Sequence, residues 1–506
     1  MSSVKRNIVA NYLGGAWSAL MGLAFVPLYI RYLGIEAYGL IGVFTLLQSW
    51  LALLDLGLTP TISREMARFQ AGAHTPQSIR DLMCSVERVY FGLAAVVALG
   101  LFFAAPWLAT DWVRAEKLST ATVANALAVT GGAIAVRWVA GLYRSALTGL
   151  QRQVWLNGCT AFFSTLRGLG VVAVLAWVSS TIMAFFVFQS VLVALEALVL
   201  AMQLRRLLPE PPRRASFRWQ ALRQIWRFAA GIAVITLLSI LLMQVDKLVL
   251  SKILPLTEFG YYTLAATVAG ALSLAIGPIN NAIYPQFTGM VARGETKVLT
   301  EVYHKFSQTL TLMLVPAALV LSLFSEHALL LWTRDAGTAA HVAPLVSVLA
   351  VGTMLNGLMH APYTLQLAHG WTRFMVVVNA VSVVIVVPVI YIGVRSYGAI
   401  AAAYIWAAIN AGYIVFAVPL MHRRLLPAEM WRWYGQDIVA PALAALVAAA
   451  LVWVLAPAPA VDRPLGSVVS IALAAITAVS AAVLTTPLGR RRLGGYFRPV
   501  WKAISY

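Results

Sequence analysis

The chain has 506 residues, of which 61% are hydrophobic and only 11% charged, and it carries a formal net charge of +19. A soluble protein of this length holds roughly twice that charged fraction, so the composition excludes an ordinary globular enzyme. There are no alternating strands of about ten residues, which excludes a closed barrel, and the basic residues sit in short gaps beside long apolar runs rather than in any Gly-aromatic or zinc-finger pattern, so no nucleic-acid partner is expected.

About fourteen apolar segments follow one another, most near the roughly 20 residues that a bilayer-crossing helix needs. They are expected at 8–30, 38–62, 89–109, 122–148, 154–178, 181–203, 228–251, 259–291, 306–332, 341–368, 374–394, 397–421, 438–456 and 464–487. The first run ends in Pro27-Leu28-Tyr29-Ile30-Arg31 rather than in small residues, so it is read as a retained span and not a cleaved signal. Arg64, Arg68, Arg80 and Arg88 follow span two, Arg205 to Arg227 follow span six, and Arg490 to Lys502 follow span fourteen; the opposite gaps hold few cations, such as Arg31, Arg114 and Lys117. The bias is roughly four to one, which places both termini in the cytoplasm of an inner membrane. Cys84 and Cys159 fall toward that reducing side and are not expected to pair.

The long basic gap, with Pro209-Glu210-Pro211-Pro212, marks a linker between two halves. The chain is accordingly divided into an N-lobe at 1–204 (spans one to six), a linker at 205–227, a C-lobe at 228–422 (spans seven to twelve) and an added pair of helices with a basic tail at 423–506. An internal repeat supports the halves. Tyr32-Leu33-Gly34-Ile35-Glu36-Ala37-Tyr38-Gly39 opens span two and Leu254-Pro255-Leu256-Thr257-Glu258-Phe259-Gly260-Tyr261 opens span eight; Tyr143 to Arg152 resembles Tyr363 to Arg373. Six spans per half give parallel repeats, related by an axis along the membrane normal.

Charges within the spans cost roughly 2.5–3.5 kcal/mol each on insertion scales and mark cavities or pairs. Arg137 lies in the middle of span four, with Arg144 seven residues on and on the same face; Arg167 lies in the middle of span five. Guanidinium forks suit phosphate oxygens, so one reading is a deep anion site and the other a set of packing pairs, with Arg144 near enough to an end to snorkel. Lys247 in span seven faces a cavity or pairs with Asp246 beside it; Asp55 in span two holds a proton or Na⁺, or serves a structural pair. Glu196 and Glu326 are expected at the interface. Asn280 in span eight and Asn356 and His360 in span ten belong to polar stripes that line a wet path or bond across helices. Pro27, Pro278, Pro285, Pro316, Pro362 and Pro388 lie within spans and bend them. No Walker loop, metal motif or nucleophile elbow occurs, and no cofactor is expected.

Several short motifs carry a resemblance: Pro27-Leu28-Tyr29-Ile30, Tyr38-Gly39-Leu40, Leu54-Asp55-Leu56-Gly57-Leu58, Ser63-Arg64-Glu65, Asp246-Lys247-Leu248, Phe259-Gly260-Tyr261-Tyr262 and Leu365-Gln366-Leu367-Ala368-His369-Gly370. With them the chain resembles, over spans one to twelve, the bacterial lipid-linked oligosaccharide flippases, a branch of a superfamily that also holds multidrug extruders and the lipid II flippase. The resemblance implies an all-α polytopic fold of two six-helix lobes in a V, alternating access, an undecaprenyl-diphosphate-linked oligosaccharide as substrate, and coupling to H⁺, Na⁺ or the membrane potential. A polysaccharide polymerase and glycosyltransferases would then be neighbours in the pathway. The last two spans depart from the simplest twelve-span pattern and leave the lipid II branch as an alternative. A multidrug extruder would call for acidic cavity residues where this chain has basic ones. An enzyme would need a large outward loop, and here only Asp111 and Glu116 stand in such a place.

Overall fold

Where the sequence pairs a short polar residue with a following apolar run, a helix begins. The computed structural model describes residues 3–490 apart from 56, 211 and 463. Thr75, Ser119, Thr181 and Asp335 each accept a hydrogen bond from the backbone N–H three residues on, at 3.1, 3.2, 3.3 and 3.0 Å, and so close the open ends of four helices. At Asp335 the Thr338 hydroxyl, with nearby backbone N–H groups, holds the carboxyl below its ordinary range.

Contacts divide the chain into two compact units, Met1–Gly260 and Tyr261–Tyr506. The first contains α1 (Ser3–Ala24), α2 (Val26–Leu33), α3 (Ile35–Leu51), α4 (Leu58–Gln70), α5 (Pro76–Trp107), α6 (Thr120–Gly149), α7 (Gln153–Trp177), α8 (Ile182–Leu207) and α9 (Trp219–Ile253). Helix α10 (Leu256–Gly270) begins in the first unit. The second continues with α11 (Ile276–Ala292), α12 (Thr296–Leu323), α13 (Ser325–Thr333), α14 (Ala336–Leu358), α15 (His360–Ala368), α16 (Thr372–Tyr397), α17 (Ala399–Gly412), α18 (Val418–Leu425), α19 (Met430–Arg432), α20 (Ala440–Leu455) and α21 (Pro464–Thr485). Among the described residues, twelve helical segments are long and apolar enough to cross a membrane, and they coincide with twelve of the fourteen expected spans. The other two expected spans correspond to α9 and to the broken pair α10–α11. The expected tail beyond Arg490 lies outside the described residues.

Both second spans are interrupted, contrary to the continuous helices expected at 38–62 and 259–291. A 3-10 turn at Ala52–Asp55 separates α3 from α4, and another at Ala271–Ala275 separates α10 from α11. The inter-span turns repeat as well. Ala73 N–H reaches Arg68 O and Gly72 N–H reaches Phe69 O; in the second half Glu295 N–H reaches Met290 O and Gly294 N–H reaches Val291 O. Arg152 to Leu147 and Gln151 to Thr148 match Trp371 to Gln366 and Gly370 to Leu367. Each pair is the hydrogen-bond signature of a helix closed by a left-handed residue. In the first half that residue is Gln151 rather than Gly149, which instead sits against α4, where a Cβ would lie 2.2 Å from Ser63 O.

The core of the first unit lies between α4, α5, α6 and α8, around Ile62, Met66, Val86, Tyr90, Leu142, Leu147 and Leu200. Glu36, at the start of α3, accepts from the backbone N–H groups of Glu116 (2.6 Å), Lys117 (2.9 Å) and Leu118 (3.4 Å) and so fixes the loop leading into α6. The expected linker is tacked onto α5: Arg80 donates to Pro209 O (3.0 Å) and Leu208 O (2.6 Å), and Asp81 takes Ser216 N–H (2.9 Å) and Arg218 Nε (2.8 Å). Helix α9 then packs against α3, α4 and α5 in the first unit, with Ile225 joining that core.

In the second unit, α20 and α21 meet through Ala445, Ala449, Ala474, Ala478 and Ala482, small residues at helical spacing that let two backbones approach within lipid. They dock on α12 through buried Asp437, which accepts from His304 Nδ1 (2.5 Å) and Gln308 Nε2 (2.7 Å), while Gln308 Oε1 accepts from Leu488 N–H (2.9 Å). The last pair of helices is thus anchored to the second unit by polar bonds as well as packing.

The two motifs that open spans two and eight meet. A Cβ on Gly39 would lie 2.3 Å from Leu256 O, and one on Gly260 would lie 2.4 Å from Ile35 O. Gly39→Ala or Gly260→Ala should therefore destabilise the protein by about 1–3 kcal/mol, the usual cost of forced overpacking. Gly141→Ala, where a Cβ meets nothing within 4 Å, should not. Thermal unfolding of the three variants in detergent checks this.

Candidate site: an arginine cluster on three helices

Helix α6 carries Arg137 and Arg144 two turns apart, on the face it turns toward its neighbours; α7 adds Arg167, and α8 adds Glu196. The ends of α6 at Gly149, α7 at Gln153 and α8 at Leu207 lie on one side of the unit. Counted from there at 1.5 Å per residue, Arg144 is about 8 Å deep, Glu196 about 16 Å, Arg137 about 18 Å and Arg167 about 21 Å. Three of the four therefore lie near the middle of a hydrocarbon layer roughly 30 Å thick.

One carboxylate serves two of the arginines. Arg167 Nη2 donates to Glu196 Oε2 at 2.9 Å, and Arg144 Nη2 bonds the other oxygen, Oε1. Arg137 has a neutral partner: its Nη1 donates to Gln48 Oε1 of α3 at 2.9 Å, with its guanidinium 5.8 Å from the centre of the Phe44 ring. Phe44 in turn packs edge-on against Phe186 of α8, 5.7 Å away. Three cations and one carboxylate leave a net charge of +2. The Glu196 side chain is 7% exposed, whereas those of Arg167 and Arg144 are 26% and 44% exposed.

A guanidinium has five N–H donors. Among the described residues, Arg144 and Arg167 each make one side-chain hydrogen bond, from Nη2 to Glu196, and their Nε atoms are buried without an acceptor. The cluster therefore has spare donors, spare positive charge and an accessible face, the requirements of a site for an anion with several oxygens.

The other candidates are placed as follows. Lys247 of α9 donates to Gln244 Oε1 at 3.3 Å, with Asp246 half-buried beside it. Asp55 closes the 3-10 turn: it accepts from Thr59 Oγ1 (2.6 Å), from Thr59 N–H (3.1 Å) and from the Tyr90 hydroxyl of α5. In the second unit, Asn280 of α11 bonds the Thr364 hydroxyl of α15, and Asn356 of α14 donates to Asn410 Oδ1 of α17 at 2.8 Å. His360 has a buried Nδ1 that meets no hydrogen-bond partner among the described residues. Of the residues singled out from sequence, Arg137, Arg144 and Arg167 gather in one place; Asn280, Asn356 and His360 belong to the other unit. Glu196 and Gln48 were missed. Glu196 lies well inside α8 and is buried, not interfacial, and the available signal was its position as a lone carboxylate in an otherwise uncharged run from 182 to 204.

A family model described as "Polysaccharide biosynthesis protein" matches residues 4–291. A putative O-antigen transporter of Shigella flexneri is 21% identical over 413 residues, covering 80% of this chain and 94% of that protein. Among solved structures, the lipid II flippase MurJ in an inward closed conformation is similar with a TM-score of 0.66 and 11% identity, over 93% of this chain and 97% of that one. An inward-facing multidrug resistance MATE family transporter of the MOP superfamily follows at 0.65 and 13%, over 82% and 94%. These likenesses establish a multi-pass membrane transporter fold.

Because either arginine alone still compensates Glu196, losing both strands a buried carboxylate. Arg144→Ala combined with Arg167→Ala should therefore destabilise by more than the sum of the single variants, with a coupling of about 0.5–3 kcal/mol. Unfolding curves of the four proteins in one detergent measure it.

Proposed function

The chain belongs to the polysaccharide biosynthesis protein family, and on that premise we propose that it is a flippase carrying an undecaprenyl-diphosphate-linked oligosaccharide from the cytoplasmic to the periplasmic leaflet of the inner membrane. The arginine cluster is the observation that carries this reading. A substrate of this class has a polyprenyl tail at home in lipid and a diphosphate that is not. Its diphosphate is esterified at both ends, so each phosphorus bears one negative charge, and Arg137, Arg144 and Arg167 with Glu196 offer a net +2 in return. Loading the site thus turns two costly charge clusters into one nearly neutral assembly, which lowers the electrostatic barrier to passage.

The chain's own residues bind and orient; no bond is made or broken. Arg167 and Arg144 present nitrogens from adjacent helices to the phosphate oxygens, and Arg137 adds a third cation braced by Gln48 and Phe44. Alternating access then exposes the site to each side in turn. With both termini in the cytoplasm, as the positive-inside bias supports, an inside-negative potential favours outward movement of the anionic headgroup by roughly 2.3 kcal/mol per charge per 100 mV. A net positive cluster works against extrusion of cationic drugs, and the family model together with the O-antigen transporter relative favours a repeat-unit oligosaccharide over lipid II.

In a strain whose own flippase is deleted, the wild-type chain should restore surface polysaccharide. Arg137→Ala and Arg167→Ala, present in the membrane at wild-type level, should lower export at least tenfold and leave lipid-linked oligosaccharide on the cytoplasmic leaflet. Full export by the doubly substituted chain would rule out these arginines as the anion site.

A further inference from the structure

We propose that Glu196 is a built-in counter-anion: in the empty carrier it occupies guanidinium nitrogens of Arg144 and Arg167 that a substrate phosphate takes in the loaded one, and it thereby sets how readily the diphosphate is released. The inference rests on the flippase reading and adds to it a residue that acts through the arginines rather than on the substrate.

Three observations carry it. First, the carboxylate is divided, with Oε1 on Arg144 from α6 and Oε2 on Arg167 from α7. Glu196 thereby holds guanidinium groups from two helices around one pair of anionic oxygens, an arrangement that two oxygens of a phosphate could take over. Second, the three side chains are layered. Glu196 is sealed, and its two partners are progressively more open. A ligand therefore meets the arginines on their accessible side while Glu196 competes for them from behind. Third, the clamp is under-filled. Each of the two arginines gives Glu196 only its Nη2, and among the described residues the Nη1 of each makes no hydrogen bond. A carboxylate that served only to lock packing would be expected to draw on both nitrogens of a fork; this one leaves donors in place for a ligand with more oxygens.

The charge count gives the consequence. With Glu196 ionised the cluster offers +2 and balances the two charges of the esterified diphosphate; without it the cluster offers +3 and retains an excess cation after loading. Removing the negative charge should therefore tighten binding and slow release. A residue whose role is only structural gives the opposite sign, because loosened arginines bind an anion less well. Flippases need release as much as capture, since a site that holds the diphosphate too firmly on the far side turns over slowly.

The test uses the full chain in detergent or nanodiscs, with inorganic pyrophosphate as the probe and thermal shift as the binding readout, beside an export assay. Wild type should be stabilised saturably by pyrophosphate, and Arg167→Ala should lose most of that effect; failure of this arm sinks the anion-site reading itself. Glu196→Gln should bind pyrophosphate at least tenfold more tightly than wild type and export substrate more slowly. Glu196→Asp, which keeps the charge but withdraws it by one methylene, should fall between, at about threefold tighter. If wild type binds but the Gln and Asp variants bind equally or more weakly, Glu196 is a brace and the proposal is wrong. Should neither variant fold, infrared difference spectra of wild type decide: pyrophosphate should shift a glutamate carboxylate band as Glu196 gives up its partners, and an unchanged band overturns the idea.

Discussion

Everything in the first unit is arranged around the difficulty of keeping charge inside hydrocarbon. Two arginines near mid-depth, Arg137 and Arg167, would cost roughly 5–7 kcal/mol on an insertion scale if left alone, and Arg144 adds less nearer the helix end. Glu196 offsets that cost, and in doing so it links α6, α7 and α8 at one point. The same carboxylate cannot neutralise all three. Arg137 turns instead to the amide of Gln48 and the ring of Phe44, which stabilise a cation without cancelling it. The result is a cluster that is anchored but still positive, as a binding site needs and a purely structural ion pair does not.

The second constraint is backbone satisfaction. Lipid offers no partner to a freed N–H or C=O, so breaks in a span occur only where protein groups fill in. Asp55 does this at the break between α3 and α4, accepting from Thr59 and the Tyr90 hydroxyl, and Ser145 of α6 bonds the carbonyl of Thr59 close by. A corresponding 3-10 break between α10 and α11 recurs about 219 residues later, at Ala271 as at Ala52, and the left-handed turns at Gly72 and Gly294, and at Gln151 and Gly370, recur at a similar interval. The two halves therefore share a pattern of breaks and turns that is visible in hydrogen bonds even where side chains differ. They have diverged in chemistry too: the first unit places arginines on its inner helices, and the second places amides and hydroxyls, Asn280 with Thr364 and Asn356 with Asn410.

Much of the fold was legible in the sequence because bilayer thickness acts on every span alike. Length, apolar run and the bias of Lys and Arg suffice to locate twelve of the helices, and the position of Arg137 and Arg167 at mid-span suffices to single them out. What escaped depends on contacts between distant residues. Glu196 reads as interfacial if α8 is ended at 203, and its role appears only when α6 and α7 are packed beside it. Gln48 is neutral and carries no signal until it is seen 2.9 Å from Arg137. The breaks in α3–α4 and α10–α11 sit in apolar sequence with no interior proline at the turn itself, and the docking of α20 and α21 on α12 rests on Asp437, His304 and Gln308, separated by about 130 residues of chain.

The balance of charge explains why arginine, and not lysine or a neutral amide, occupies these positions. A lysine buried this deeply sheds its proton readily and would cease to attract an anion; a guanidinium keeps its charge under any condition the cell meets. On the flippase reading, permanent charge solves binding but creates a second difficulty, because the carrier must also return empty. A cluster of +3 crossing half a bilayer without its anion would face a barrier that the loaded carrier does not. A resident carboxylate reduces that charge to +2 at no further cost in ordering, since Glu196 is already fixed on the same three-helix core. On the flippase reading the loaded site is nearly neutral and the empty one carries +2, so an inside-negative potential acts mainly on the empty return, which it draws inward.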